Sequence, residues 1–210
     1  MIGDEITVFD EIIKVADEII EKILPRITEC HGRFVISIAG ESGSGKTVLA
    51  KAANQQFLAR NIKSVVLNQD DYFVLPPQSN DLKRRQDPDW LGPHNEVRLD
   101  VLDKNLQDAI RGQKEIVKPL VDYYANSIRE ETISLEGVKV LIAEGTYTSL
   151  LKNVDIRIFI EKSWQDTLEN RLIRNRGNEA GDPFIENVLS IEHKIIAAHR
   201  QLPDILVAKD

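Results

Sequence analysis

The sequence has a single cysteine, Cys30, in 210 residues. One thiol cannot make a disulfide framework, and such sparing use fits a reducing compartment. Four histidines (His31, His94, His193 and His199) and that cysteine show no zinc-ligand spacing. No stretch approaches 18 uncharged apolar residues, which excludes a helical membrane span. The first residues, Met1-Ile2-Gly3-Asp4-Glu5, are acidic and lack the basic region of a secretory signal. A cytoplasmic location is therefore expected. Positive charge is also short, with 27 Lys and Arg against 34 Asp and Glu, a formal net charge of −7. Polymeric nucleic acid, held through many cationic phosphate contacts, is a poor fit to that balance. A single nucleotide at one concentrated site is not excluded.

Hydrophobic residues make up 42% of the chain and charged residues 29%, which is ordinary globular usage. No internal repeat, low-complexity tract or linker divides the chain. Residues 1–210 are read as one domain, with 1–32 as an N-terminal helical extension. In residues 10–28, Ile12, Ala16, Ile19, Ile20, Ile23 and Ile27 recur at three- and four-residue steps, predicting a packing helix that Pro25 ends or kinks. Short apolar, β-branched runs at 34–39, 64–67, 138–143, 156–160 and 205–208 predict buried strands. Helices are expected over 48–60, 96–111, 164–176 and 184–200. A hairpin flap is expected from 115–121 and 131–135. Residues 74–95 carry Pro76, Pro77, Pro88 and Pro93 and read as one long loop. Strands alternating with helices imply a parallel sheet covered on both faces.

Gly40-Glu41-Ser42-Gly43-Ser44-Gly45-Lys46-Thr47 fits G-x-x-x-x-G-K-[ST] in full. Glycines admit positive φ and let the backbone approach a phosphate. The loop N–H groups and the following helix N-terminus favour an anion. Lys46 supplies a point charge for the outer phosphates, and the Thr47 hydroxyl can ligate magnesium. Chance alone gives such a match in roughly one chain in a hundred of this length. The strand before it and the helix after it lower that further. Gly40, Ser42, Gly43, Ser44, Gly45, Lys46, Thr47 and Val48 are thus the candidate nucleotide-binding residues.

Other groups turn a phosphate site towards phosphoryl transfer. Gln69-Asp70-Asp71-Tyr72-Phe73 follows the second strand, where catalytic groups gather in open α/β sheets. A carboxylate there can orient an acceptor hydroxyl and take its proton, although a turn or a helix cap uses Asp equally well. Glu144 ends a buried strand at a Walker-B-like position and is the second candidate metal residue, beside Thr47. Arg171 and Arg174, with Arg176, can screen a transferring phosphoryl group as part of a lid over 164–182, or form a solvated face. Lys83-Arg84-Arg85 is read mainly as solvated, with a minor option of meeting an anionic substrate.

These motifs, in this order, resemble the uridine kinase / phosphoribulokinase family of P-loop kinases over roughly residues 33–208. The resemblance implies an α/β fold: a P-loop NTPase three-layer αβα architecture with a central five-stranded parallel sheet and a small β-hairpin flap. It places the catalytic base on Asp70, a substrate contact on Phe73, a ribose-holding aspartate on Asp87 and lid arginines on Arg171 and Arg174. Pro119-Leu120-Val121-Asp122-Tyr123-Tyr124-Ala125-Asn126-Ser127 is similar to the flap that covers the base, giving Tyr123 and Asn126 as substrate candidates. It departs from that flap at Val121 and Asn126, where uridine kinases carry Tyr and His. Expected cofactors are ATP and Mg2+. Expected partners are a small-molecule hydroxyl acceptor and further copies of the chain, as a dimer or tetramer. The acceptor expected first is a nucleoside. A sugar phosphate, pantothenate, glycerate or nicotinamide riboside is the alternative, and a nucleotide-dependent ATPase or switch or a degenerate binding module is the reading outside the class.

Overall fold

The computed structural model describes residues 7–167 and 182–208. Five parallel strands form the main sheet: β1 (Phe34–Gly40), β2 (Ser64–Asn68), β5 (Val140–Glu144), β6 (Ile156–Ile160) and β7 (Ile205–Val207). Their order is β2-β5-β1-β6-β7. Strand β1 is central and buried along its whole length, so it carries apolar residues on both faces rather than an alternating pattern. Its register sets Ile38 beside Glu144 and Gly40 beside Ile160. The carboxyl ends of β1, β2 and β5 therefore finish at one edge, where ligands of open α/β sheets sit.

One face of the sheet is covered by α1 (Asp10–Glu29) and α2 (Lys46–Ala59). Ala16, Ile19, Ile20, Ile23 and Ile27 of α1 are buried against Leu49, Ala53 and Phe57 of α2 and the strands beneath. Each buried Ile contributes about 1.5–3 kcal/mol by leaving water. Helix α1 runs through Pro25 for a further turn. Pro25 lies on the exposed face, where the carbonyl that its missing N–H would have met can turn to water. The other face is closed by α4 (Leu99–Ile110) and α5 (Pro183–Ala197), with Leu102, Leu106 and Ile196 fully buried.

The stretch from β2 to β5 contributes nothing to this sheet. It holds α3 (Pro77–Gln86) and an antiparallel hairpin of β3 (Glu115–Asp122) and β4 (Ser127–Ser134). The expected loop over 74–95 is thus corrected to a helix and a 3-10 turn at Pro88–Trp90. Pro76 and Pro77 are helix-starting residues here: Pro77 occupies the first helical position, where the missing N–H costs no bond. The helix expected from 96 begins at Leu99, because Glu96 is drawn into a buried ion pair. Of the helix expected over 164–176 and the lid expected over 164–182, residues 164–167 form a turn, and 168–181 lie outside the described residues.

Candidate functional site

Residues 40–47 wrap from the end of β1 into α2. Gly45, with φ 97°, is the N-cap of α2, a backbone state that other residues resist. Gly40 is required for closeness: a Cβ there would lie 2.8 Å from Ser44 Oγ and 3.0 Å from the Ile160 carbonyl oxygen. Lys46 is nearly buried and donates from Nζ to the Glu41 carbonyl at 2.8 Å. The turn after β5 is locked beside the loop. The Gly145 N–H and the Thr148 hydroxyl both donate to the Ile38 carbonyl, at 3.0 Å each. Gln69 fits against Gly145 and accepts the Tyr147 N–H at 2.7 Å.

A cleft of ≈ 530 Å³ opens over this edge. Its walls bring together Ser42, Lys46, Thr47, Asp70, Phe73 and Glu144, which come from the ends of three neighbouring strands. The catalytic candidates Lys46 and Asp70, the nucleotide candidates Ser42, Lys46 and Thr47, and the metal candidates Thr47 and Glu144 therefore share one cavity. Gly40, Gly43, Ser44, Gly45 and Val48 belong to the same loop and helix start but are outside the cleft lining. Arg171, Arg174 and Arg176 lie outside the described residues.

Asp70 and Asp71, adjacent in sequence, take different places. Asp70 lines the cleft, its N–H held by Asn68 Oδ1 at 2.8 Å. Asp71 is buried; its Oδ2 receives Lys118 Nζ at 2.7 Å and its Oδ1 the Val121 N–H at 3.1 Å. Asp71 thereby fixes the hairpin against the strand end that carries Asp70.

The substrate candidates divide. Phe73 and Tyr123 line the cleft. Asn126 sits in the hairpin turn at φ 46°, and its Oδ1 accepts the Gln78 N–H at 2.9 Å. It ties the hairpin to the first turn of α3 and is outside the cleft lining. Asp87 is also outside that lining; the Lys83 ammonium, at 2.8 Å, holds its carboxyl below the usual range. Val121 is an apolar, buried part of the cleft wall.

The cleft also contains groups that sequence reasoning missed or placed in water. Arg84 is largely buried and faces Glu96 Oε2 at 2.6 Å and Glu192 Oε1 at 3.7 Å, with its guanidinium 5.7 Å from the Phe73 ring centre. Burial opposes its charge, but Glu96 and Glu192 outweigh it and push its pKa above the ordinary value. Arg85 is shared by Asp81 at 3.3 Å and Asp182 at 3.0 Å. Glu96 balances Arg84, and Asp81 and Asp182 share Arg85, so neither brings surplus positive charge to this wall. Burial pushes the Glu192 carboxyl up to about 7; Glu96 and Asp70 add to the shift, while Arg84 and Lys46 oppose it. In the sequence Lys83-Arg84-Arg85 is a basic cluster in an expected loop, read mainly as solvated, and only the fold shows that Glu96 and Glu192 approach Arg84.

A model of the Phosphoribulokinase / Uridine kinase family matches residues 35–189. The bifunctional alpha-galactosidase/sucrose kinase of Mediterraneibacter gnavus is 32% identical over 191 residues, covering 86% of this chain and 20% of that protein. The chain thus spans a fifth of that relative's length. The uridine kinase of Ureaplasma parvum serovar 3 is 32% identical over 146 residues, covering 68% of this chain and 69% of its own. A solved kinase from Silicibacter sp. TM1040, assigned to a fructose transport system, superposes with a TM-score of 0.71 over 93% of this chain and 98% of its own. At 19% identity, that likeness concerns the fold alone. The family model covers residues 35–189, most of the chain, and the chain belongs to the Phosphoribulokinase / Uridine kinase family of P-loop kinases.

Proposed function

We propose that this protein transfers the γ-phosphoryl group of ATP, with Mg2+, to a hydroxyl of a small molecule, a nucleoside in the first reading. The observation that carries this is the cleft itself, in which Lys46, Thr47, Asp70 and Glu144 converge. Lys46 and the loop amides hold the outer phosphates. Thr47 and Glu144 provide the oxygen donors that suit magnesium. Among the described residues no group of three His, Cys, Asp or Glu side chains could hold a metal by itself. That fits Mg2+, which keeps several waters and binds through one or two protein oxygens together with phosphates. Asp70 orients the acceptor hydroxyl and takes its proton. Such chemistry is positioning and electrostatics, so a few fixed groups suffice. Arg171 and Arg174 are proposed to screen the transferring charge.

A second acceptor reading, an uncharged sugar, has its own support. Val121 is apolar and Asn126 is spent on α3, so the hairpin offers neither base-reading side chain found in uridine kinases. The match to the sucrose kinase points the same way. No described helix is long and apolar enough to cross a membrane; a cytoplasmic homo-oligomer remains part of the proposal. The test is ADP release from Mg-ATP against uridine, cytidine, nicotinamide riboside, neutral sugars, sugar phosphates, pantothenate and glycerate. The expected result is release that depends on one acceptor and is lost in Asp70→Asn and Lys46→Ala. Release indifferent to every acceptor and to Asp70→Asn would instead identify an ATPase or switch.

A further inference from the structure

The second residue of the phosphate loop is a glutamate. A carboxylate beside a triphosphate repels it unless its charge is held elsewhere. Glu41 is only 9% exposed, and its two oxygens go to two distant parts of the chain. Oε2 accepts the Trp164 N–H at 2.7 Å, in the turn that follows β6. Oε1 meets His193 Nδ1, on α5, at 2.7 Å. Nδ1–H donates to a carboxylate from the neutral Nδ1 tautomer and from the imidazolium alike. The backbone of the loop is bound in the same place. The Glu41 carbonyl accepts from Lys46 Nζ at 2.8 Å and from the Ser44 N–H at 3.1 Å. The next carbonyl, of Ser42, accepts the Thr167 hydroxyl at 2.9 Å. His193 follows Glu192, which lines the cleft.

We propose that Glu41 is a positioning residue for nucleotide binding. It acts through Trp164 and His193, clamping the phosphate loop to the turn after β6 and to α5. The clamp turns the carboxylate away from the phosphates and fixes the spacing of the loop amides. The inference rests on the kinase reading of the same site and assigns a task to a loop position outside the motif's fixed residues. It requires that loss of Glu41 fall on ATP more than on the acceptor.

The experiment measures the Kd of Mg-ATP by titration calorimetry, and the KM values of ATP and acceptor, for wild type, Glu41→Ala, Glu41→Gln and His193→Ala. Loss of two part-buried charge-assisted hydrogen bonds in Glu41→Ala should weaken Mg-ATP by about tenfold or more. Glu41→Gln, whose amide oxygen still accepts from Trp164, should recover most of it. His193→Ala should fall between them; His193 is half-exposed, so its removal does not threaten folding. The acceptor KM should change less than the ATP KM. Glu41→Ala binding Mg-ATP within about twofold of wild type would overturn the proposal. So would parallel losses for ATP and acceptor that track the melting temperature. A wild type that fails to bind Mg-ATP overturns the kinase reading itself, and this inference with it.

Discussion

Replacing Lys118 by Met tests whether the hairpin is held by charge. Lys118 Nζ lies 2.7 Å from Asp71 Oδ2 and 2.8 Å from Glu131 Oε1, and the Lys118 and Asp71 side chains are each 3% exposed. At such burial, removing one partner costs about 3–5 kcal/mol, because the remaining charge stays in a medium that solvates it poorly. For a chain of this length that lowers the melting temperature by about 6–20 °C. Asp71→Asn combined with Lys118→Met removes the buried charge and keeps the oxygen that accepts the Val121 N–H, so it should regain more than half of the loss. Urea unfolding and thermal melts of wild type, both single variants and the double variant give the coupling energy. Asp71 adjoins Asp70, so Lys118→Met should also raise the acceptor KM more than the ATP KM. A loss below about 1 kcal/mol, or a double variant no better than Lys118→Met alone, would refute the reasoning.

Asp70→Asn should lower acceptor-dependent turnover by about a hundredfold or more while leaving Mg-ATP binding intact, as single-turnover kinetics and calorimetry would show. Glu192 gives a pH test. Its folded pKa of about 7 lies above the ordinary 4.5, so holding the proton stabilises the fold fully below pH 4.5 and progressively less as pH rises to 7. Wild type should therefore lose on the order of 3 kcal/mol relative to Glu192→Gln across that window in urea titrations. In Gly145→Ala the new Cβ would lie 2.3 Å from Gln69 Cβ, displacing the residue before Asp70. A stability loss of about 1–3 kcal/mol with a larger fall in turnover is expected from melts and assays.

The strands and the phosphate loop were legible because they rest on local rules. A buried β-branched run, a glycine turn and a helix start are each complete within a few residues, and residues 34–60 needed nothing from elsewhere. Asp70 and Glu144 were legible for a related reason: both stand at strand ends, where the topology alone places them at the cleft. What escaped depends on contacts across the chain. Glu96 looked like the start of a helix because nothing nearby showed that Arg84 would claim it. Glu41 and His193 are separated by 152 positions, and neither has a periodicity or motif that pairs it with the other. Pro76-Pro77 misled for another reason: the residue that ends a helix from inside also begins one, and only the next turns decide between the two.

Strands β2 and β5 are neighbours in space, yet the chain between them, from Gln69 to Lys139, adds no strand to the main sheet. That stretch carries α3, α4, the hairpin and about half of the residues that line the cleft. The phosphate-loop side of the cleft, with Ser42, Lys46 and Thr47, is instead built on β1 and α2. An exchange of α3 or the hairpin would thus leave every hydrogen bond of the five-stranded ladder in place. Under the proposed kinase reading, acceptor choice can be retuned in α3 and the hairpin while the phosphate loop and sheet stay unchanged, and grafting those two elements, with α4 left in place to close the sheet face, is the matching route for a designer.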